Sequence, residues 1–209
     1  AMVRQSNPSG DALWLSTNTK TVFHISSEAT PASIETLSLF PATQLTLGNL
    51  DSDEWPELVL TNLTLIYPSA HETTSPSPSI HILWGKPGTP DSSAASSISL
   101  DNANATAIGD INQDGHGDLV VSVFQGTQSL KADSPIFLGN GSRDLPAASF
   151  PVPTEGATSV TIAATTPHKH PRAIFANSQH RTLDDAVPLR LYWGIEGGFS
   201  RDTFVDIPN

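Results

Sequence analysis

The chain has 209 residues, and its 21 acidic against 10 basic side chains give a formal charge of −11, which excludes a broad nucleic-acid-binding surface because such surfaces need clustered lysine and arginine. The absence of cysteine excludes disulfides and thiolate metal sites, and the apolar runs are too short for membrane insertion. The 17 prolines, 14 glycines and many serines and threonines predict short strands joined by turns.

The first forty residues predict an incomplete repeat unit. Residues 12–16, with the sequence ALWLS, match the second half of a motif that recurs later in the chain. Two further strands are predicted at residues 21–25 and 34–39. No clear strand precedes residue 12, and residues 4–10 lack the acidic pattern of the later copies. We therefore expect a partial unit over residues 1–40.

Two later segments superpose without a gap at an offset of 61 residues. They are residues 47–61 (LGNLDSDEWPELVLT) and residues 108–122 (IGDINQDGHGDLVVS). A degenerate third copy covers residues 162–176. Each copy is followed by an apolar strand that ends in glycine and then by a short alternating strand, so each full unit is expected to contain four strands. The full units are expected at residues 41–101, 102–153 and 154–209.

The repeats predict the architecture. Four short strands cannot bury both faces of their sheet alone, so units of this size must stack on one another. Radial stacking gives a β-propeller, and we interpret residues 1–209 as a single all-β, propeller-type domain of about four repeats. An open stack of four leaves edges and faces uncovered, so we expect either a fragment of a larger propeller or a partial propeller that is completed by self-association or by a second chain. Closure of this chain alone as a four-bladed ring is the alternative.

In the loop between the first two predicted strands of the third unit, oxygen ligands recur at every second residue. The ligand positions are 1, 3, 5, 7 and 9 of a nine-residue loop, with Gly115 at position 6 permitting a sharp turn. Hard oxygen ligands in this number suit Ca²⁺ better than zinc or copper, while an Asp/Asn/Gly turn that binds nothing is the alternative. The predicted ligands are Asp110, Asn112, Asp114, the backbone carbonyl of His116, and Asp118.

The second unit carries an equivalent loop with a less regular sequence. Glu54 stands where the other loop has Gly115, and a left-handed backbone at a residue other than glycine costs about 1–2 kcal/mol. We therefore expect this loop to bind Ca²⁺ more weakly. Its predicted ligands are Asn49, Asp51, Asp53, the backbone carbonyl of Trp55, and Glu57.

The degenerate copy has lost its ligands. Ala164, Thr166, His168 and Arg172 stand at positions 1, 3, 5 and 9 of the loop. Arg172 is expected to compensate locally for the missing positive charge of Ca²⁺. A transition-metal site formed by His168 and His170 is the alternative, although two histidines on a loop are more often solvated.

The run GDINQDGHGDLVV, followed by an aromatic-glycine strand, resembles the FG-GAP/VCBS repeats of integrin-α-type propellers. The resemblance covers most of the chain as about four units. It implies a propeller in which Ca²⁺ stiffens hairpin loops at one rim and performs no chemistry. Known members of this family include adhesion receptors, lectins and modules associated with enzymes, and they are commonly seven-bladed, so this chain is short for the family.

These patterns predict binding rather than catalysis. The chain has no cysteine and no Gly-x-Ser-x-Gly elbow, and its best-placed acids belong to the loops. Trp55, at the tip of an acidic loop, is a candidate for stacking on a sugar or a partner side chain, with packing against a neighbouring blade as the alternative. We expect a secreted or cell-surface module that binds a protein or a glycan, with three candidate glycosylation sites at Asn62, Asn104 and Asn140. The alternative is part of a carbohydrate-active hydrolase or lyase.

Overall fold

The computed structural model confirms an all-β chain in the part that it describes. The described residues form strands and loops and include no helix. The described part of the chain therefore has no helix that is long and apolar enough to cross a membrane. For the strands before residue 39 and for residues 194, 195, 198 and 199, only the backbone course is described. The described residues are 2–7, 10–16, 21–26, 33–38, 42–63, 80–87, 93, 95–126, 129–148, 150–163, 171–178, 188–195 and 198–208.

The sixteen strands in the described part of the chain form four antiparallel sheets, each of four strands in chain order. The first two sheets are called sheet A and sheet B. Sheet A contains β1 (Met2–Asn7), β2 (Gly10–Ser16), β3 (Thr21–Ser26) and β4 (Ser33–Ser38). Sheet B contains β5 (Gln44–Gly48), β6 (Glu57–Thr61), β7 (Ile80–Leu83) and β8 (Ser96–Ile98).

Sheets C and D repeat this up-and-down order, so each sheet is a meander in which consecutive strands pair. Sheet C contains β9 (Ala103–Gly109), β10 (Asp118–Val123), β11 (Lys131–Phe137) and β12 (Phe150–Glu155). Sheet D contains β13 (Ala157–Ala163), β14 (Arg172–Asn177), β15 (Leu189–Ile195) and β16 (Gly198–Ile207).

The first sheet has a strand that the sequence did not predict. Strand β1 pairs with β2 over its whole length, from Met2 opposite Leu15 to Asn7 opposite Gly10. The expectation that no strand precedes residue 12 is therefore wrong. The sequence MVRQSN has only two apolar residues, so it shows no alternation, and pairing with β2 is what defines the strand.

The middle sheets are buried on both faces. Leu58 and Leu60 of β6 pack in one apolar cluster, whereas Val59 between them packs in another cluster that lies between sheets B and C. In β10, Val121 joins the cluster between sheets B and C, and Val120 faces sheet D. Burial on both sides explains why these strands read as continuous apolar runs rather than as alternating ones.

Sheet-to-sheet contacts run from A to B, from B to C and from C to D. The first strand of each sheet contacts the first strand of the next, so β5 contacts β1 and β9, and β9 also contacts β13. Between sheets C and D, Phe175 and Tyr192 are fully buried and meet edge to face with ring centroids 5.9 Å apart. Among the described strands, no comparably extensive contact joins sheet D back to sheet A.

Candidate cation-binding loops

Two loops with equivalent positions connect the first and second strands of neighbouring sheets. The loop in sheet B, residues 49–57, joins β5 to β6, and the loop in sheet C, residues 110–118, joins β9 to β10. In the strand register, Glu57 lies opposite Gly48 and Asp118 lies opposite Gly109. The ninth position of each loop therefore occupies the same place in its hairpin.

The backbones of the two loops agree at position 4 but differ at position 6, which corrects one sequence-based expectation. Ser52 and Gln113, both at position 4, have positive φ angles of 63° and 62°. Gly115 has a φ of 90°, but Glu54, at the same position of the other loop, is not among the residues with positive φ. The strain predicted at Glu54 is therefore absent, and the left-handed residue of that loop is Ser52, as Gln113 is in the other.

A buried carboxylate closes each loop by accepting two backbone hydrogen bonds. Asp118 Oδ2 accepts from the Ile111 N–H at 2.7 Å, and its Oδ1 accepts from the Gly139 N–H at 2.8 Å. In sheet B, the Glu57 carboxylate accepts from the Leu50 N–H at 2.5 Å and from the Gly85 N–H at 3.2 Å. The sequence did not reveal this role of the ninth position.

The glycine that follows the third strand is required by close packing. A Cβ added to Gly139 would lie 2.0 Å from the Gly117 carbonyl oxygen, and one added to Gly85 would lie 2.3 Å from the Trp55 carbonyl oxygen. Only glycine lets the chain approach the loop closely enough for its N–H to reach the buried carboxylate. The recurring glycine after the third strand is therefore part of the loop structure.

Burial raises the pKa of both closing carboxyl groups. Glu57 and Asp118 are each 0% exposed, which disfavours their ionised forms. For Glu57, burial and, more weakly, repulsion by Asp51 and Asp53 outweigh the two backbone hydrogen bonds and raise the pKa from 4.5 to about 7. For Asp118, burial likewise raises the pKa despite hydrogen bonds from the backbone. A cation nearby would favour the ionised form of both groups.

In the sheet C loop the remaining oxygen ligands are oriented by the loop's own backbone. Asp110 accepts from the N–H groups of Asp114 and Gly115 at 3.1 and 3.0 Å. Asp114 in turn accepts from the His116 N–H at 2.9 Å, and the Asn112 amide donates to Asp114 at 2.8 Å. Carboxylate, amide and carbonyl oxygens are the ligands that Ca²⁺ prefers, so the chemistry of this set fits the ion.

In the sheet B loop the carboxylates converge. Oxygen atoms of Asp51, Asp53 and Glu57 lie within 4.8 Å of one another, whereas the three aspartates of the sheet C loop, although also described, do not form such a group. The convergence is accompanied by Arg143, from the connection between β11 and β12. Its Nε donates to Asp51 at 2.8 Å and its Nη2 to Asp53 at 3.1 Å. Nothing in the sequence pattern pointed to this arginine.

The two loops also contact each other. Ser52 Oγ lies 2.9 Å from His116 Nδ1, and a Cβ on Gly117 would lie 1.9 Å from the Asn49 carbonyl oxygen. The Asn49 side chain is used inside its own loop, where its Oδ1 accepts from the Ser52 N–H at 2.6 Å and its amide donates to the Asp53 carbonyl. The loops are therefore packed as one surface rather than as separate flaps.

The tryptophans differ in exposure. Trp84 is 2% exposed in the core between sheets B and C, and its indole N–H donates to Ser96 at 2.9 Å. Trp55 is half-buried, with its backbone against Gly85 and its N–H donating to Asp53. It is therefore neither a freely exposed platform nor a core residue.

The degenerate copy is only partly described. Arg172 begins β14, its guanidinium lies 5.6 Å from the centroid of the Trp193 ring, and its buried Nε has no hydrogen-bond partner among the described residues. Residues 164–170, which include the alternative ligands His168 and His170, lie outside the described part of the chain.

A cleft of about 490 Å³ lies at the opposite end of the strands from the acidic loops, between sheets C and D. Its charged lining residues are Lys131, Asp133, Glu155 and Arg190. Arg190 forms a two-pronged ion pair with Asp206, at 2.7 and 2.9 Å. The cleft thus combines two carboxylates with two basic groups in a mixed-charge surface.

Comparison of the sequence with protein-family models and with curated proteins finds no match in either case. Conclusions about function therefore depend on the loops and surfaces described above.

Proposed function

We propose that the chain is a non-catalytic, Ca²⁺-stabilised binding module of the β-propeller type, related to FG-GAP/VCBS repeats and acting outside the cell on a protein or glycan partner. The observation that carries this proposal is the shared frame of the two loops. Both have a left-handed residue at position 4 and a buried carboxylate at position 9, held by the N–H of a glycine that follows the third strand. Such a frame holds alternate side-chain oxygens on one tight turn, which is what a Ca²⁺ loop needs.

The sheet C loop is the first candidate for the ion. Asp110, Asn112, Asp114, the His116 carbonyl and Asp118 would hold it. Bound Ca²⁺ would supply positive charge to a region that carries three carboxylates, and it would stiffen the loop surface that faces a partner. No catalytic step is assigned to these residues.

Titration calorimetry with Ca²⁺, and thermal unfolding with Ca²⁺ or EDTA, test the proposal. Ligand that binds only the folded state raises stability, so Ca²⁺ should raise the melting temperature. The double variant Asp110→Asn with Asp114→Asn should lose this increase. The control Asp144→Asn changes an exposed carboxylate outside both loops and should keep it. An equal increase in the double variant would exclude the sheet C loop as the site.

The partner class is tested separately, on the Ca²⁺-loaded protein. Binding to a glycan array that EDTA abolishes would support a lectin-like role. Trp55→Ala would then be expected to weaken this binding, since a half-buried tryptophan within the sheet B loop offers a stacking surface. Binding only to extracellular proteins would instead support an adhesion role.

The cleft between sheets C and D supports the alternative, part of a carbohydrate-active enzyme. Asp133 and Glu155 both line it, and a pair of carboxyl groups is what most glycoside hydrolases use. Against this alternative, Asp133 is already paired with Arg201 at 3.1 Å. Release of sugars from a panel of polysaccharides, lost in Glu155→Gln, would favour the enzyme over the binding module.

Self-association through sheet D is part of the proposal. Val205 is 45% exposed and Ile207 is 41% exposed, and they lie opposite Leu191 and Leu189 in the strand register. Because the middle sheets are covered on both faces, we propose that a second copy of the chain covers this apolar strip. Light scattering should show a dimer or larger assembly that Val205→Lys reduces to a monomer, and a monomeric wild-type chain would contradict this.

A further inference from the structure

We infer that Arg143 is the resident cation of the sheet B loop, so that a divalent ion can bind Asp51 and Asp53 only by displacing its guanidinium. The inference rests on the proposed function in one respect, namely that loops of this frame are built to receive a cation. It assigns different cations to the two loops, an arginine in sheet B and a metal ion in sheet C.

The contacts of Arg143 support this role. Its Nε and Nη2 donate to the carboxylates of Asp51 and Asp53, at 2.8 and 3.1 Å, and Nη2 also donates to the Gly85 carbonyl at 2.8 Å. The Asp51 side chain is only 5% exposed, so its charge has little access to water and depends on a neighbouring cation. The guanidinium also lies 6.0 Å from the centroid of the buried Trp84 ring.

The position of Arg143 in the repeat explains why the sheet C loop differs. Arg143 comes four residues after Gly139, the glycine whose N–H reaches Asp118. From there it extends back to the loop of the preceding sheet. Counted along the sequence in the same way, the position that corresponds to Arg143 for the sheet C loop comes four residues after Gly194. That position is Gly198, which has no side chain. Among the residues that the structure describes, no arginine pairs with the carboxylates of the sheet C loop as Arg143 does with those of the sheet B loop, so none competes there with a metal ion.

The competition has a direct chemical basis. A planar guanidinium donates to two carboxylates at once and carries its charge at every accessible pH, so it satisfies the same oxygens that a divalent ion would coordinate. It cannot satisfy them at the same time as the ion. The Arg143 side chain is nevertheless 48% exposed, so it can rotate into solvent when a divalent ion binds the two aspartates.

Terbium luminescence, excited through the tryptophans, tests this inference in the full chain. All variants carry Asp110→Asn and Asp114→Asn, so that the sheet C loop is disabled and any remaining signal reports the sheet B loop. In this background Arg143→Gln should bind Tb³⁺ about tenfold more tightly than the protein that keeps Arg143, because two ion pairs no longer have to be broken. Ca²⁺, measured by its competition with Tb³⁺, should show the same increase in affinity. Arg201→Gln, which removes another exposed arginine paired with one aspartate, should leave the affinity unchanged.

Unchanged or weaker binding in Arg143→Gln would overturn the inference and would make the arginine a support for the site instead. If that variant fails to fold, Arg143→Lys keeps a positive charge without the planar fork, and it should bind Tb³⁺ more tightly than the background with Arg143 in place. A lysine variant that binds no more tightly than the arginine background would likewise overturn it. Failure of the proposed function appears in a different measurement, as a melting temperature of the wild-type chain that Ca²⁺ does not raise.

Discussion

Replacing Glu57 with glutamine should remove a pH dependence of stability from the metal-free protein. Glu57 is fully buried, and burial raises its pKa from 4.5 to about 7. Each pKa unit corresponds to about 1.4 kcal/mol, so this group changes the free energy of unfolding by about 3 kcal/mol over that range. Because the folded chain holds the proton more tightly than the unfolded chain, the stabilising contribution is complete below about pH 4.5 and is lost as the pH rises through about 7.

Urea unfolding in EDTA, repeated between about pH 5 and pH 8, measures the effect. The difference between wild type and Glu57→Gln isolates this group from others that titrate in the same range. The variant itself is expected to be less stable at low pH by about 1–3 kcal/mol, since the amide accepts only one of the two backbone hydrogen bonds. Glu54→Gln, which alters an exposed carboxylate of the same loop, should keep the wild-type slope. A parallel decline in wild type and Glu57→Gln would refute the reasoning.

Two further predictions concern packing and are read from urea unfolding at constant pH. Gly139→Ala places a methyl group 2.0 Å from the Gly117 carbonyl oxygen and should lower the free energy of unfolding by about 3 kcal/mol or more. Gly115→Ala, with a φ of 90° but no atom within 4 Å of the added methyl group, should lower it by only about 1–2 kcal/mol. Equal losses of stability would show that the close approach at Gly139 is unimportant. Phe175→Ala removes a fully buried ring from the core between sheets C and D and should cost about 3–5 kcal/mol. This loss should exceed that of Phe204→Ala, since Phe204 is 37% exposed, and a smaller loss at Phe175 would contradict the assignment of that core.

Much of the fold could be predicted from the sequence because the repeated signals are local. The apolar runs that became β6 and β10 are buried on both faces, and such runs are visible without knowledge of their partners. Strand β1 could not be found this way, since its sequence has no apolar alternation and its identity depends on pairing with β2. Local pattern predicts a strand only where burial imposes it.

The candidate loops could be predicted as segments but not as structures. Alternating oxygens and the glycine at position 115 marked the sheet C loop, and the same spacing marked the loop in sheet B. The place of the left-handed residue was wrong, because Ser52 rather than Glu54 makes the turn. Arg143 could not have been found by spacing, since it is separated from Asp51 by 92 residues in the chain and meets it only through the stacking of sheets B and C.

The hydrogen bonds in the two loops bear on what a cation can contribute. Asp118 is held by the N–H groups of Ile111 and Gly139, and these bonds close the loop whether or not an ion is bound. A cation therefore adds to a turn that the backbone has already formed, and its stabilisation follows mass action, about 2.7 kcal/mol at one hundred times the dissociation constant.

Because Arg143 already supplies charge to the sheet B loop, removing Ca²⁺ should lower the melting temperature through the sheet C loop alone. The strands of all four sheets should persist in EDTA, with an unchanged far-ultraviolet circular dichroism spectrum below the transition, and collapse of that spectrum on chelation would show that the ion forms the turn.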